Sequence, residues 1–242
     1  MSRIAGDEER VALRDALFAF ADLAWPLRCA GCDLPGVALC ERCRGVLRLI
    51  ERETACPRCG APDGAAGCAE CDGAERAYSA ARCAGVLEWP LSRLITLHKD
   101  AGEMRFTPVL ARLAGDAAGE WVEWAQALVP VPGSPGALAR RGFDHCGMLT
   151  AVMGDLMGLP AVEALRGLPR RDQRHLSRDD RARNAGASIA RIPEAFIPPR
   201  ILLIDDVMTT GATLDAAARE LLAAGATEVR AVTVARACGG RL

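Results

Sequence analysis

Ile201-Leu202-Leu203-Ile204-Asp205-Asp206-Val207-Met208-Thr209-Thr210-Gly211-Ala212-Thr213 is the stretch on which the fold turns. Its first four residues are apolar on both faces, as a strand buried inside a parallel sheet requires. Leu214 to Ala224 then reads as a helix, with Gly225 as its terminator. Strand, turn and helix in this order put the turn at the strand's carboxyl end, where open α/β sheets bind ligands. Gly211 lets the backbone turn tightly and approach an anion. The helix that follows aims its unpaired N–H groups at the same place. Thr209, Thr210 and Thr213 add hydroxyl donors, so the run Val207, Met208, Thr209, Thr210, Gly211, Ala212, Thr213 is expected to form a monophosphate cradle.

Two carboxylates beside a phosphate would repel it unless they served another group. Ionised carboxylates only accept hydrogen bonds, and vicinal ribose hydroxyls are natural donors to them. A sugar phosphate fits both halves, with its phosphate in the turn and its hydroxyls on Asp205 and Asp206. A plainer reading has the acids merely ending a strand and Thr213 merely capping a helix. Acid pair, threonine pair, glycine and threonine in sequence make that reading the less economical one. A phospho-acceptor receiver domain would carry its acids after the first strand, whereas these follow the penultimate one. Neither G-x-x-x-x-G-K-[ST] nor a post-strand G-x-G-x-x-G occurs, so the nucleotide-loop folds lack their signatures.

Outward from this stretch, the second part of the chain alternates strands and helices, the pattern of an α/β domain. Strands are predicted over 79–88, 127–131, 200–204 and 228–235. Helices are predicted over 91–97, 108–118, 148–157 and 214–224. Ala127 to Val131 runs into Pro132-Gly133-Ser134-Pro135-Gly136. Arg166 to Asn184 is polar and arginine-rich, and is expected to be the mobile part. The chain has 242 residues, half of them hydrophobic, with a net charge of −1. That leaves room for one good core plus a small module, with no overall bias toward nucleic acid or membranes. Among 30 Lys and Arg, the one lysine is Lys99. In an arginine-biased chain, a retained lysine can mark a place where a fork-shaped guanidinium would not serve.

Eleven cysteines are many for this length. Eight form C-x-x-C pairs: Cys29/Cys32, Cys40/Cys43, Cys56/Cys59 and Cys68/Cys71. The first 28 residues read as mostly helical. Their apolar stretch, Val11 to Trp25, is too short and too charged to span a membrane. With no signal-peptide pattern, a cytoplasmic location is expected and the thiols are read as metal ligands rather than disulfides. Eight thiolates suit two tetrahedral Zn²⁺ sites. Sequential pairing and a cross-braced pairing are both open. Arg44 to Arg52 is predicted to form a short helix between the two half-units. The module is too poor in apolar residues to fold without metal. Its arginines are offset by acids, so no basic stripe for nucleic acid is evident.

The IDDVMTTGAT stretch resembles the signature of type I phosphoribosyltransferases. More narrowly, the chain resembles the ComF family of competence-associated proteins. Besides the cysteine pairs, the resemblance rests on Leu94-Ile95 ahead of Lys99, Val129-Pro130-Val131-Pro132, Arg141-Gly142-Phe143, Gln173, Leu176-Ser177 and Arg181 to Asn184, in family order. It implies a type I phosphoribosyltransferase-like parallel sheet with flanking helices and a smaller hood over residues 78–242. Ahead of it, residues 1–28 would be an N-terminal helix and 29–73 a double zinc ribbon.

The resemblance also implies Mg²⁺ with phosphoribosyl pyrophosphate as the ligand. Residues from Pro132 onward would hold the pyrophosphate, and the 166–184 stretch would close over it. Compensating charge would come from Arg140, Arg141, Lys99, Arg170, Arg171 and Arg181. The residues closest to the chemistry would be Asp205, Asp206, Arg141 and Lys99. Gln173 and Asn184 could touch an acceptor, and His98, His145 and His175 could be general bases or purely structural. Where the family usually has Arg-Gly-Phe-Asn-Gln, this chain has Arg141-Gly142-Phe143-Asp144-His145. The implied role is phosphoribosyl transfer linked to DNA uptake, with single-stranded DNA and a competence helicase or DNA-processing protein as partners. Two alternatives stay open: a non-catalytic sensor or single-stranded-DNA-handling module, and a nucleobase salvage enzyme. The last would have no use for a zinc module, and no base-binding motif is recognisable.

Overall fold

The computed structural model describes residues 26–71, 75–169 and 188–239. Nearly all of the expected N-terminal helix lies outside the described residues. So do Arg170, Arg171, Gln173, His175, Leu176-Ser177, Arg181 and Asn184 of the arginine-rich stretch.

The core is a four-stranded sheet built from β1 (Ala80–Val86), β2 (Ala127–Pro130), β5 (Arg200–Met208) and β6 (Glu228–Arg236). Its order is β1-β6-β5-β2, and every neighbouring pair is parallel. The continuous apolar run of β5 has its cause here: Ile201, Leu202, Leu203 and Ile204 are all fully buried, because the sheet is covered on both faces. Each such side chain contributes about 1.5–3 kcal/mol of burial free energy. Ile201 and Leu203 pack with helix 212–223, and Leu202 and Ile204 with helices 91–99, 107–118 and 145–157. A separate antiparallel pair, β3 (Leu165–Gly167) with β4 (Ile189–Arg191), forms the small second sheet. Arg166 and Gly167, expected at the start of a mobile polar stretch, are therefore strand residues.

Two expectations about element ends need correction. β5 does not stop at Ile204. Asp205 pairs opposite Thr233, Val207 opposite Ala235 and Met208 opposite Arg236. The acid pair thus sits in the last rungs of the sheet, because β6 is as long as β5 and keeps supplying partners. Nor is there a helix over 44–52. A single helical turn, α1 (Glu41–Gly45), comes earlier, and Arg48 to Ile50 runs extended along β1. Ile50 donates its N–H to the Ala84 carbonyl, and Val86 donates to that of Arg48. Gly85 makes this approach possible, since a Cβ there would stand 3.0 Å from the Arg48 carbonyl oxygen.

The remaining helices are α2 (Leu91–Lys99), α3 (Thr107–Ala118), α4 (Trp121–Trp124), α5 (Pro135–Arg141), α6 (His145–Met157) and α7 (Ala212–Ala223). Their ends follow local chemistry. The Ser134 side chain caps α5 by accepting from Ala137 N–H, with Pro135 in the first turn. Gly142 closes α5 at φ 77°, and Gly158 closes α6 at φ 69°. The Asp144 carboxylate caps α6 by accepting from Cys146 N–H at 3.1 Å. Among the described residues, no helix is long and apolar enough to cross a membrane.

Candidate functional site

The carboxyl ends of β5 and β6 face the start of α6 and the end of α2. Asp206 is 5% exposed, and two cationic or polar side chains meet its Oδ2. Lys99, the last residue of α2, donates from Nζ to Asp206 Oδ2 at 2.6 Å. His145, the first residue of α6, places Nε2 3.3 Å from the same oxygen. Asp205 accepts from the Cys146 thiol at 3.3 Å and from the Asp206 N–H at 2.8 Å. The two acids are thereby made unlike. Burial and the adjoining Asp206 charge push Asp205 up to about 8. Burial acts on Asp206 in the same sense, but the hydrogen bond from His145 and the Lys99 charge outweigh it, holding Asp206 below the usual carboxylate range. Burial would lower Lys99; the Asp206 carboxylate reverses this and raises it.

His145 and Cys146 were not placed at this centre by sequence reasoning beyond the open general-base reading of His145. The available signal was the departure at Asp144-His145 beside the retained lysine. The imidazole, thiol and Asp206 carboxylate lie within 4.8 Å of one another. Both ring nitrogens of His145 are already engaged, Nε2 with Asp206 and Nδ1 with Arg141 Nη1 at 3.5 Å. Arg141 also donates to Asp100 at 3.2 Å. A chain of contacts thus runs from Arg141 through His145 to Asp206 and Lys99.

Arg140 is not drawn in; it donates to Gly136 of its own helix and is exposed. His98 is a core histidine: it is buried, shares a 2.9 Å hydrogen bond with Thr107, and is lowered to about 4 chiefly by burial. Pro132 leads from β2 into α5 and is partly buried.

The predicted turn is present. Gly211 adopts φ 76° and is the N-cap of α7, so Thr213 lies inside the helix and does not cap it. Thr209 and Thr210 are exposed, and Thr210 Oγ1 accepts from Ala212 N–H at 3.4 Å. Tyr78, the chain's one tyrosine, lies beneath this turn. A Cβ on Gly211 would stand 2.7 Å from its hydroxyl. That hydroxyl is buried without a hydrogen-bond partner. The turn is fastened from outside by Arg76, which donates to the Thr210 carbonyl at 2.8 Å, and Ala77 N–H donates to Asp215 at 2.6 Å.

The eight paired cysteines form two tetrads, Cys29-Cys32-Cys40-Cys43 and Cys56-Cys59-Cys68-Cys71, each with its sulfurs within 4.8 Å of one another. This is the sequential arrangement; the cross-braced one does not occur. Zinc–sulfur bonds of about 2.3 Å place tetrahedral sulfurs about 3.8 Å apart. Cys32–Cys40 at 3.6 Å, Cys56–Cys71 at 3.8 Å and Cys59–Cys68 at 3.5 Å fit that geometry. The donor set can hold structural zinc at both centres.

The two tetrads share a backbone turn. Asp33 and Gly60 each follow the second cysteine of a pair at φ 60° and 61°. Each donates its N–H to the carbonyl of the first cysteine, at 2.9 and 2.8 Å. Burial opposes ionisation of Cys29, but N–H donors from Cys40, Cys32 and Gly31 outweigh it and bring the thiol down to about 6. A cavity of about 480 Å³ opens elsewhere, between residues 49–57, β1 and α3, and includes none of the predicted residues except Cys56.

Residues 184–242, which hold β5, the turn, α7 and β6, match the phosphoribosyl transferase domain family. With the parallel sheet, this makes the chain phosphoribosyltransferase-like. Over most of its length it is similar to competence proteins. It is 26% identical over 202 residues to Competence protein ComFC of Streptococcus pneumoniae, covering 82% of this chain and 87% of that one. It is 29% identical over 206 residues to Competence protein F of Haemophilus influenzae, covering 81% and 90%. The resemblance to the ComF family therefore holds, in a phosphoribosyltransferase-like chain with cysteine centres suited to zinc. Orotate phosphoribosyltransferase from Aeropyrum pernix overlays 60% of this chain and 76% of its own with a TM-score of 0.36 at 19% identity.

Proposed function

We propose that the chain binds phosphoribosyl pyrophosphate with Mg²⁺ at the carboxyl end of β5. The carrying observation is the unlike acid pair, Asp205 and Asp206, held by Lys99, His145 and Cys146 one turn ahead of the Gly211 cradle. The 5′-phosphate would take the N–H groups at the start of α7 and the hydroxyls of Thr209, Thr210 and Thr213. The ribose hydroxyls would meet the acid pair, with Asp205 as donor or acceptor and Asp206 as acceptor. Pyrophosphate would lie toward Pro132 and Arg141. Mg²⁺ would neutralise phosphate charge. Lys99 is paired with Asp206 at the ribose end. On C1–O cleavage positive charge would build on the ribose beside these carboxyl groups, and the negative charge of the departing pyrophosphate would be met by Mg²⁺ and Arg141.

Titration calorimetry with phosphoribosyl pyrophosphate and Mg²⁺ tests the site. Binding is expected for the natural chain and not for Asp205→Ala plus Asp206→Ala. Unchanged affinity in the double variant would reject the ribose assignment. Pyrophosphate release with bases, amines and single-stranded DNA offered as acceptors then separates transfer from binding alone.

A further inference from the structure

Arg236, the last residue of β6, is an arginine where a strand end inside the fold would ordinarily bury an apolar side chain. It is 1% exposed and heads the fully buried side chains by volume. Its Nε donates to the Cys59 carbonyl at 3.2 Å. Its Nη1 donates to the Met208 carbonyl at 3.3 Å and also to those of Thr209 and Ala237. Its Nη2 faces Glu70 Oε2 at 3.5 Å. Glu70 lies between Cys68 and Cys71, and Cys59 belongs to the other pair of the same tetrad. One guanidinium therefore grips both halves of the second tetrad and the first two carbonyls of the phosphate turn.

We infer that Arg236 is a positioning residue that couples the metal state of the second cysteine tetrad to the shape of the phosphate turn. The inference rests on the phosphoribosyl pyrophosphate reading of that turn. A buried guanidinium persists only while its donors are satisfied, because an uncompensated buried charge is strongly unfavourable. Four thiolates around a divalent ion carry net negative charge, and Arg236 is a buried cation beside them. When the tetrad is closed, the Cys59 carbonyl and Glu70 are fixed, and the remaining donors hold the Met208 and Thr209 carbonyls. When the tetrad opens, those anchors loosen and the guanidinium must turn toward water, releasing the turn. Coupling of this kind is reciprocal: ligand on the turn must tighten metal on the tetrad by the same factor.

The experiment is zinc release to pyridylazoresorcinol in excess Mg²⁺, with and without saturating phosphoribosyl pyrophosphate, alongside calorimetric affinity for that ligand. In the natural chain, ligand should slow release of one zinc equivalent by about 5- to 150-fold, the usual span of site coupling. Arg236→Lys keeps the charge but loses the fork; it should bind the ligand more weakly by a similar factor and lose the protection. Circular dichroism confirms that this variant is folded, and if it is not, the reciprocal measurement on the natural chain stands alone. Ligand binding without any slowing of zinc release overturns the inference and spares the proposed function. Wild-type affinity with retained protection in folded Arg236→Lys also overturns it. Absence of ligand binding in the natural chain removes the reading beneath it, and both fall.

Discussion

The two cysteine tetrads share a local backbone and differ in what surrounds them. The first rests on the helical side of the molecule. Its Asp33 forms an exposed ion pair with Arg93 of α2 at 3.0 Å, and Gly31 lies close to Pro90 and Cys43. The second is built into the main core, with Cys56, Cys59 and Cys71 packed among Tyr78, Cys83, Ile201 and Met208. Its polar link is the buried Arg236, where the first has the half-buried Arg93. A repeated sequence unit thus yields one peripheral knuckle and one that is part of the sheet's packing. The difference lies in the neighbours, because the cysteine spacing and turn geometry are nearly the same.

Breaking a ligand in each tetrad should expose this difference most strongly. Structural zinc contributes about 10–16 kcal/mol of apparent binding free energy in small zinc modules. Cys56→Ser should cost one zinc equivalent by elemental analysis, lower the thermal midpoint of the whole domain and weaken phosphoribosyl pyrophosphate binding. Cys32→Ser should also cost one equivalent, with a smaller drop in both other measures. Equal losses in the two variants would erase the distinction.

A yardstick for the site itself is Asp206→Ala, which leaves Lys99 and His145 facing an emptied position. Removing one partner of a buried ion pair costs about 3–5 kcal/mol, to be read by urea denaturation. Its neighbour adds a pH signature. Asp205 is raised from 3.8 to about 8, so the fold binds its proton more tightly than the unfolded chain does. That contribution is complete below about pH 4 and is lost as pH rises through about 8. Asp205→Asn should remove this decline, and denaturation midpoints across pH 5 to 9 would show whether it does.

Smaller effects sharpen the comparison. Gly60 has a positive φ, and a Cβ there would meet Cys83 Sγ at 2.8 Å. Gly60→Ala should cost about 1–3 kcal/mol, the usual range for overpacking. Gly36, beside the first tetrad, also has a positive φ but open space around it, and Gly36→Ala should cost less. Least of all, Arg93→Gln should change stability by under about 1 kcal/mol, since its partner is exposed.

What was legible in the sequence divides along the same line. β5 could be read because a run buried on both faces leaves an unbroken apolar signature. The turn at Gly211 could be read because glycine takes a positive φ before a helix without strain. Lys99 stood out by composition, and the structure puts it on Asp206. The pairing of the tetrads was undecided, because spacing does not say which knuckles fold back on each other. The 44–52 segment misled: Val46, Leu47, Leu49 and Ile50 suit a helix locally, but pairing with β1 overrode that preference. Arg236 was invisible, since a terminal arginine on a strand reads as a solvated charge. Only the fold shows that water is excluded from it.

The extended strip Arg48–Ile50 has a consequence for handling the protein. It lies along the outer border of β1, on hydrogen-bonding groups that would otherwise be free to recruit a strand from another molecule. The strip is tethered on either side by a cysteine knuckle. Chelation should therefore do more than loosen a small appendage: it should make the molecules stick to one another, and light scattering after zinc removal should rise before the helices melt.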